Sequence, residues 1–167
     1  MRLNPENSVK VTIMIKILMI DAEKCDGCGK CELECSAIKE GLSHPSLSRI
    51  RIYEWDNDTY LPLVCHQCEN PLCETVCPVN AIYRDEVLGR VVVDADRCVK
   101  CRSCVSACPH GAIRFHPMTN RVMRCDLCDG DPACVKVCEP KAIQFVDCDV
   151  AESKKRRSSA MKIYCGI

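Results

Sequence analysis

Apolar residues along this chain come in short runs, each interrupted by polar loops. Val11 to Ile20 is apolar apart from Thr12 and Lys16 and predicts a strand, with a flexible tail before it. Ala81 to Arg84 and Arg90 to Val93 are β-rich runs around the polar stretch Asp85 to Gly89, the pattern of a hairpin. Arg49 to Glu54 is charged and strand-like. Ala112-Ile113-Arg114-Phe115 and Ala142-Ile143-Gln144-Phe145 each open like a β connector, and Ala37-Ile38 fits the same pattern loosely. No run reaches the roughly eighteen apolar residues that a membrane helix needs, so direct membrane insertion is not expected.

These runs are too small to build a deep core. The 167 residues include one tryptophan, four tyrosines and two phenylalanines, but 18 cysteines. So few large side chains leave the chain dependent on something other than apolar packing. A secreted disulfide scaffold needs an oxidising compartment, and nothing at the N-terminus reads as a cleavable signal. The natural setting is a reducing cytoplasm, where clustered cysteines ligate metal. Lysine plus arginine balances aspartate plus glutamate at 23 each, so no basic excess asks for nucleic acid.

Sixteen of the cysteines fall into four groups. The first is Cys25, Cys28, Cys31 and Cys35, followed by Ser36; the second is Cys65, Cys68, Cys73 and Cys77, followed by Pro78. The third is Cys98, Cys101, Cys104 and Cys108, followed by Pro109; the fourth is Cys125, Cys128, Cys134 and Cys138, with Pro140 one place further on. The third group is the C-x2-C-x2-C-x3-C-P run of [4Fe-4S] ligation, in which three thiolates hold one cubane and the fourth reaches a second. The x2 spacing lets one tight loop reach three corners and turns backbone N–H groups toward the sulfurs; Gly27 and Gly29 favour such turning. The proline is expected to end a short helical turn. Four such clusters would add a charge of about −8 to a neutral polypeptide.

The flanks repeat as well. Ile20-Asp21-Ala22-Glu23-Lys24 before the first group matches Val93-Asp94-Ala95-Asp96-Arg97 before the third, as expected of a duplicated two-cluster unit. Two ligand connectivities follow. If the groups nest, Cys25, Cys28 and Cys31 share a cluster with Cys138, and Cys35 joins Cys125, Cys128 and Cys134. Likewise Cys65, Cys68 and Cys73 share with Cys108, and Cys77 joins Cys98, Cys101 and Cys104. If the groups pair sequentially, groups one and two exchange last cysteines, as do three and four. The hairpin between groups two and three favours nesting.

Structural zinc sites pair C-x2-C units across a long gap, often with histidine, and this spacing differs. His66 and His110 read as polar residues beside complete groups. His44 is the one ligand candidate between groups one and two, and Cys148 and Cys165 read as spare thiols. Lys24, Lys30, Arg97, Lys100, Arg102, Arg124 and Lys136 lie near the ligands and read mostly as solvated charges, some of which tune clusters. The run Lys154-Lys155-Arg156-Arg157 has no interleaved aromatics and reads as a tail. No glycine-rich nucleotide fingerprint, radical-SAM triad or nucleophile–base pair stands out, which points to an electron carrier, non-catalytic by itself.

With all sixteen cysteines and the stretches C-H-Q-C-E-N-P-L-C-E-T-V-C-P and C-V-K-C-R-S-C-V-S-A-C-P-H-G-A, the chain resembles a family of electron-transfer subunits. These are the four-cluster, ferredoxin-like subunits of molybdenum and tungsten oxidoreductases and of hydrogenase- and formate-linked complexes. The resemblance runs from about Ile17 to Phe145 and implies nested pairing and four [4Fe-4S] clusters. It also implies a large catalytic partner subunit, taken as molybdenum- or tungsten-pterin, with a ferredoxin or further redox subunit on the other side. The fourth group lacks the longer gap of the dimethyl sulfoxide reductase type. That makes the chain more similar to short members serving tungsten aldehyde oxidoreductase-like enzymes, the small subunit of tungsten-dependent benzoyl-CoA reductase among them. The alternatives are a free-standing polyferredoxin electron carrier and the electron-transfer subunit of a hydrogenase or formate complex.

The expected fold is α+β, a duplicated bacterial two-cluster ferredoxin with small β-hairpins and short helices wrapped around four clusters. Residues 1–16 form a tail and strand start, 17–38 with 119–147 an outer core, 39–62 an insertion, 63–118 an inner core, and 148–167 a second tail.

Overall fold

The computed structural model describes residues 16–149 apart from 57 and 86. The N-terminal tail, the first half of the first expected strand, Cys165 and the basic run lie outside the described residues. The protein is a small mixed helix and strand structure.

Each cysteine group feeds a helix: α1 (Lys30–Glu40), α2 (Leu72–Thr75), α3 (Ser103–Ala107) and α4 (Ala133–Lys136). Three of them are one turn long and stop two to four residues ahead of Pro78, Pro109 or Pro140, because proline disfavours helical backbone before it and offers no N–H. The first group has Ser36 instead, and α1 runs on for 11 residues. The Ser36 hydroxyl, fully buried, donates to the Glu32 carbonyl at 3.0 Å and accepts the His44 N–H at 2.9 Å. The helix ends at Gly41, whose φ of 69° suits glycine and whose N–H closes on Ala37 O at 2.9 Å. Ala37-Ile38 is therefore helical, a correction to its reading as a β start. Ser36→Pro is expected to cost about 3 kcal/mol or more, since it breaks α1 and strands the His44 N–H. Thermal unfolding of the anaerobic holoprotein checks this, and an unchanged midpoint would contradict it.

Among the described residues there are also four antiparallel strand pairs. The expected hairpin is β4 (Ile82–Arg84) with β5 (Val91–Val93). The strand-like charged run is β2 (Arg51–Asp56), which pairs with β3 (Thr59–Leu63), so the segment between groups one and two is itself a hairpin. A short pair, β6 (Arg114–Phe115) with β7 (Val122–Met123), follows group three. The long-range pair joins the two ends of the described chain: β1 (Lys16–Ile20) runs antiparallel to β8 (Ile143–Asp147), with Ile20 opposite Ile143.

The same local geometry occurs twice. Asp21 N–H donates to Ala142 O at 2.8 Å, where β1 meets β8. Asp94 N–H donates to Ala81 O at 2.7 Å, where β5 meets β4 with Val93 opposite Ile82. The strand entering group one thus pairs with the strand leaving group four, and the strand entering group three with the strand leaving group two. Helices follow suit, α1 packing on α4 and α2 on α3.

The core forms two buried clusters, and group two contributes to both. One buried cluster gathers Leu18, Ile50, Val64, Leu127 and Ile143 around Cys31, Cys35, Cys65, Cys125 and Cys134. The other gathers Ile82, Val91 and Ile113 around Cys73 and Cys104, and Cys108 packs against both. Polar ties bind the segment 41–63 to the first helix. The buried Glu32 carboxylate accepts the Ile52 N–H at 3.1 Å and meets Arg51 at 3.1 Å. Glu40 draws in Arg49 at 2.5 Å, together with Arg121.

Candidate functional site

The structure gathers the cysteines in sets that cross between groups. Cys25, Cys28, Cys31 and Cys138 line one cavity. Cys35, Cys125, Cys128 and Cys134 line a second, and Cys77, Cys98, Cys101 and Cys104 a third. Of the remaining four, Cys65 feels the charge of Cys68 and Cys73, and Cys73 feels that of Cys108. All seventeen described cysteines are free. Among the described residues, no three His, Cys, Asp or Glu groups converge as they would around a single ion; a cubane spreads its ligands more widely.

These sets suit a [4Fe-4S] group. Burial pushes the Cys31 and Cys134 thiols up to about 12, and Cys125 also well above its ordinary value. Such thiols stay protonated in a bare site, so iron would replace protons at apolar, tightly packed corners. Backbone donors already face sulfur: Arg49 N–H lies 3.3 Å from Cys35 Sγ, and Ala81 N–H 3.2 Å from Cys77 Sγ. Such bonds stabilise thiolate charge in a bound cluster. The ligand loops turn through left-handed backbone at Gly27, Gly29, Gln67, Lys100, Arg102 and Cys128.

Exposure differs between the sets. Cys28 and Cys101 are exposed, whereas Cys35, Cys65, Cys73, Cys125 and Cys134 are buried. Cys65 and Cys125 share one buried cluster, and the charge of Cys65 adds to the upward shift of the Cys125 thiol. Gln67, 4% exposed, ties that junction together. Its amide donates to Cys125 O at 2.9 Å and its carbonyl accepts the Val91 N–H at 2.8 Å, linking groups two and four to β5.

Arg124 stands apart among the cations near the ligands. Lys24, Lys30, Arg97, Lys100, Arg102 and Lys136 are exposed, as expected, but Arg124 is 7% exposed. It donates to the Val91 carbonyl while its Nε has no partner among the described residues, and its charge offsets the burial of Cys65 and Cys73. A buried guanidinium here would oppose the negative charge of a bound cluster and favour its reduced state. Arg124 also lines a basic cleft of about 220 Å³ shared with Arg49, Arg90, Lys100 and Arg121.

The histidines stay outside the cysteine sets. His66 and His110 stack on each other with centroids 4.0 Å apart. His44 accepts the Ser46 N–H at 3.2 Å and caps the turn beginning at Pro45. Neither Gln67 nor the burial of Arg124 carried a sequence signal, because both depend on distant segments meeting.

Cysteine quartets drawn from separate loops, with N–H donors turned toward sulfur, define an iron–sulfur protein of the ferredoxin-like class. The protein belongs to the 4Fe-4S dicluster domain family, whose pattern matches residues 57–148, and a 4Fe-4S binding domain matches residues 22–38. It binds four [4Fe-4S] clusters. Among similar proteins is the aliphatic sulfonate oxidoreductase, polyferredoxin-like subunit, of Pyrococcus furiosus. That protein is 41% identical over 121 residues, covering 72% of this chain and 70% of its own length. One of the chains of the anaerobic dimethyl sulfoxide reductase of Escherichia coli is 36% identical over 154 residues, covering 81% of this chain and 75% of its own length. A solved structure of the active site complex BamBC of benzoyl coenzyme A reductase, as isolated, aligns at a TM-score of 0.48 with 25% identity, over 90% of this chain and 91% of that one.

Proposed function

We infer that this chain is the electron-transfer subunit of an oxidoreductase complex, non-catalytic by itself. Both relatives from Pyrococcus furiosus and Escherichia coli are subunits or chains of oxidoreductases. Each [4Fe-4S] cluster, when bound, takes up and releases one electron. The chain's own part is to hold the clusters in sequence and to set the environment of each.

The ligand sets follow the nested arrangement. Cys25, Cys28, Cys31 and Cys138 hold the first cluster, and Cys35, Cys125, Cys128 and Cys134 the second. Cys65, Cys68, Cys73 and Cys108 hold the third, and Cys77, Cys98, Cys101 and Cys104 the fourth. The observation that carries this reading is that three of these quartets each line one cavity, with one cysteine arriving from the other group. The twin pairing of β1 with β8 and β5 with β4 supports it. With it goes the reading of 17–38 with 119–147 as an outer core and 63–118 as an inner core, each a ferredoxin-like unit. The meeting of Cys65 and Cys125 supports a wire with the second and third clusters inside and the first and fourth at its ends.

The partner we propose is a large catalytic subunit carrying molybdenum- or tungsten-pterin, with a ferredoxin or further redox subunit at the opposite end. The cytoplasm is the proposed location, since eighteen cysteines with no disulfide among the described ones suit reducing conditions. Among the described residues no helix is long and apolar enough to cross a membrane.

Anaerobically purified protein is expected to contain about sixteen irons, four per cluster, and on reduction to give spin-coupled paramagnetic signals. Iron near eight would overturn the four-cluster wire. Co-purification of a large pterin-bearing subunit checks the complex, whereas a lone monomer would favour a free polyferredoxin.

A further inference from the structure

We propose that the face around Cys101 is the docking surface for a small acidic electron-carrier protein, whose carboxylates meet Lys100 and Arg102. This rests on the electron-transfer reading and assigns one end of the wire.

The loops 25–31 and 98–104 are counterparts in the repeat, each following an Asp-Ala-acid-base tetrad and each exposing its middle cysteine. Their backbones match as well. In the first loop Gly27 and Gly29 have φ of 73° and 69°; in the second Lys100 and Arg102 have 58° and 67°. Glycine adopts this left-handed conformation freely, whereas side-chain-bearing residues adopt it at a cost. The second loop thus carries two long cationic side chains where its own twin shows that glycine serves. Strain accepted at two sites flanking an exposed ligand points to function.

The surroundings differ in the same sense. At the first loop a Cβ on Gly27 would lie 2.5 Å from the Tyr60 ring, so β3 covers that position and excludes a side chain. The cations there are neutralised, Lys24 by Asp21 at 2.5 Å and Lys30 by Glu139, while Glu23 and Asp26 stay exposed. At the second loop Arg97, Lys100 and Arg102 are exposed and none has a carboxylate partner among the described residues. Arg102 is held in place, donating to the Asn120 amide oxygen at 2.8 Å and lying 4.8 Å from the Phe115 ring centroid. The acidic groups nearby are Asp94, whose carboxylate accepts the N–H groups of Asp96 and Arg97, and the exposed Asp96. Val99, 59% exposed, stands where the first loop has Asp26.

Two explanations compete for these cations. Lys100 and Arg102 do line the cavity of Cys77, Cys98, Cys101 and Cys104, so they could serve to offset cluster charge. But exposed charges are screened within about 8 Å at physiological salt, and buried Arg124 shows how this chain places a cation for that purpose. Exposed, unpaired cations around an apolar residue instead suit a transient protein contact, where charge steers the encounter and sets the orientation. A carrier with carboxylates around its own redox centre is the complementary partner.

The test uses the full holoprotein and reduced flavodoxin, an acidic carrier whose flavin colour is distinct from that of the clusters. The anionic flavin hydroquinone gives up one electron and becomes the neutral semiquinone, and the clusters gain that electron. Stopped-flow rates should fall steeply as salt rises. Lys100→Glu with Arg102→Glu should slow the reaction at low salt at least tenfold and flatten its salt dependence. Lys100→Gly with Arg102→Gly copies the twin loop, so it should keep its iron and unfolding midpoint while losing the fast reaction. Lys24→Glu at the opposite end should stay within twofold of the parent. An unchanged rate in the glycine pair, or an equal loss in Lys24→Glu, overturns the docking face. Photoreduction with a neutral deazaflavin separates the two readings. Clusters that reduce with light but show no salt-dependent reaction with flavodoxin sink the docking face alone; clusters that never reduce sink the electron-transfer reading.

Discussion

Cys28→Ser together with Cys138→Ser is expected to lose about four irons, no more than either single variant, because the nested arrangement gives both residues to the same cluster. They lie 110 positions apart in sequence yet line one cavity with Cys25 and Cys31. Sequential pairing would put Cys138 with Cys98, Cys101 and Cys104, so the double variant would then damage two clusters. Iron analysis on anaerobically purified protein distinguishes the outcomes, since a loss near eight would overturn nesting. Cys28 is exposed, so the serine there removes a ligand without opening a cavity in the core. A second pair, Cys101→Ser with Cys108→Ser, should behave in the opposite way. In the nested arrangement Cys101 would belong to the fourth cluster and Cys108 to the third, so their losses should add.

Removal of iron by a chelator under reducing conditions is expected to unfold the chain almost completely. Cysteines make up a large part of both buried clusters, and β6 and β7 are two residues long, far too short to stand alone. Structural metal in small domains contributes on the order of 10 kcal/mol, which is folding energy when no site exists in the unfolded chain. Circular dichroism should show loss of the α1 signal and of cooperative unfolding, and an apoprotein with a native-like transition would refute the expectation. Whatever apo structure persists should weaken as pH rises from 9 toward 12. Unfolded thiols ionise near 9, whereas buried Cys31 and Cys134 keep their protons to about 12, so the stability they give is present below 9 and lost through that window.

Much of this was legible in the sequence because ligand spacing is a local property. Three cysteines at x2 intervals must turn within one loop, and the Asp-Ala-acid-base tetrads announce the duplication without reference to any fold. The β4–β5 hairpin was readable for the same reason, as its partners are close in sequence, with Arg84 opposite Val91. Proline placement set the length of α2, α3 and α4, and the missing proline at Ser36 foretold a longer α1, although the reading of Ala37-Ile38 as extended overlooked it. The hairpin partner β3 was missed because Pro62 interrupts its pattern, tolerable in a two-stranded ribbon with free edges.

The sequence by itself determined the chemistry: sixteen thiols in four loops, the clusters they bind, and the shape of each loop. Tertiary structure decided which loops face each other. Strand β1 meets β8 across more than 120 residues, and that closure, invisible to any local pattern, brings Cys138 to Cys25 and Cys125 to Cys35. It also buried Arg124 and Gln67 at the junction while leaving Lys100 and Arg102 in solvent. A cation's role beside a cluster depends on its burial, and burial is a property of the neighbours that folding brings to it.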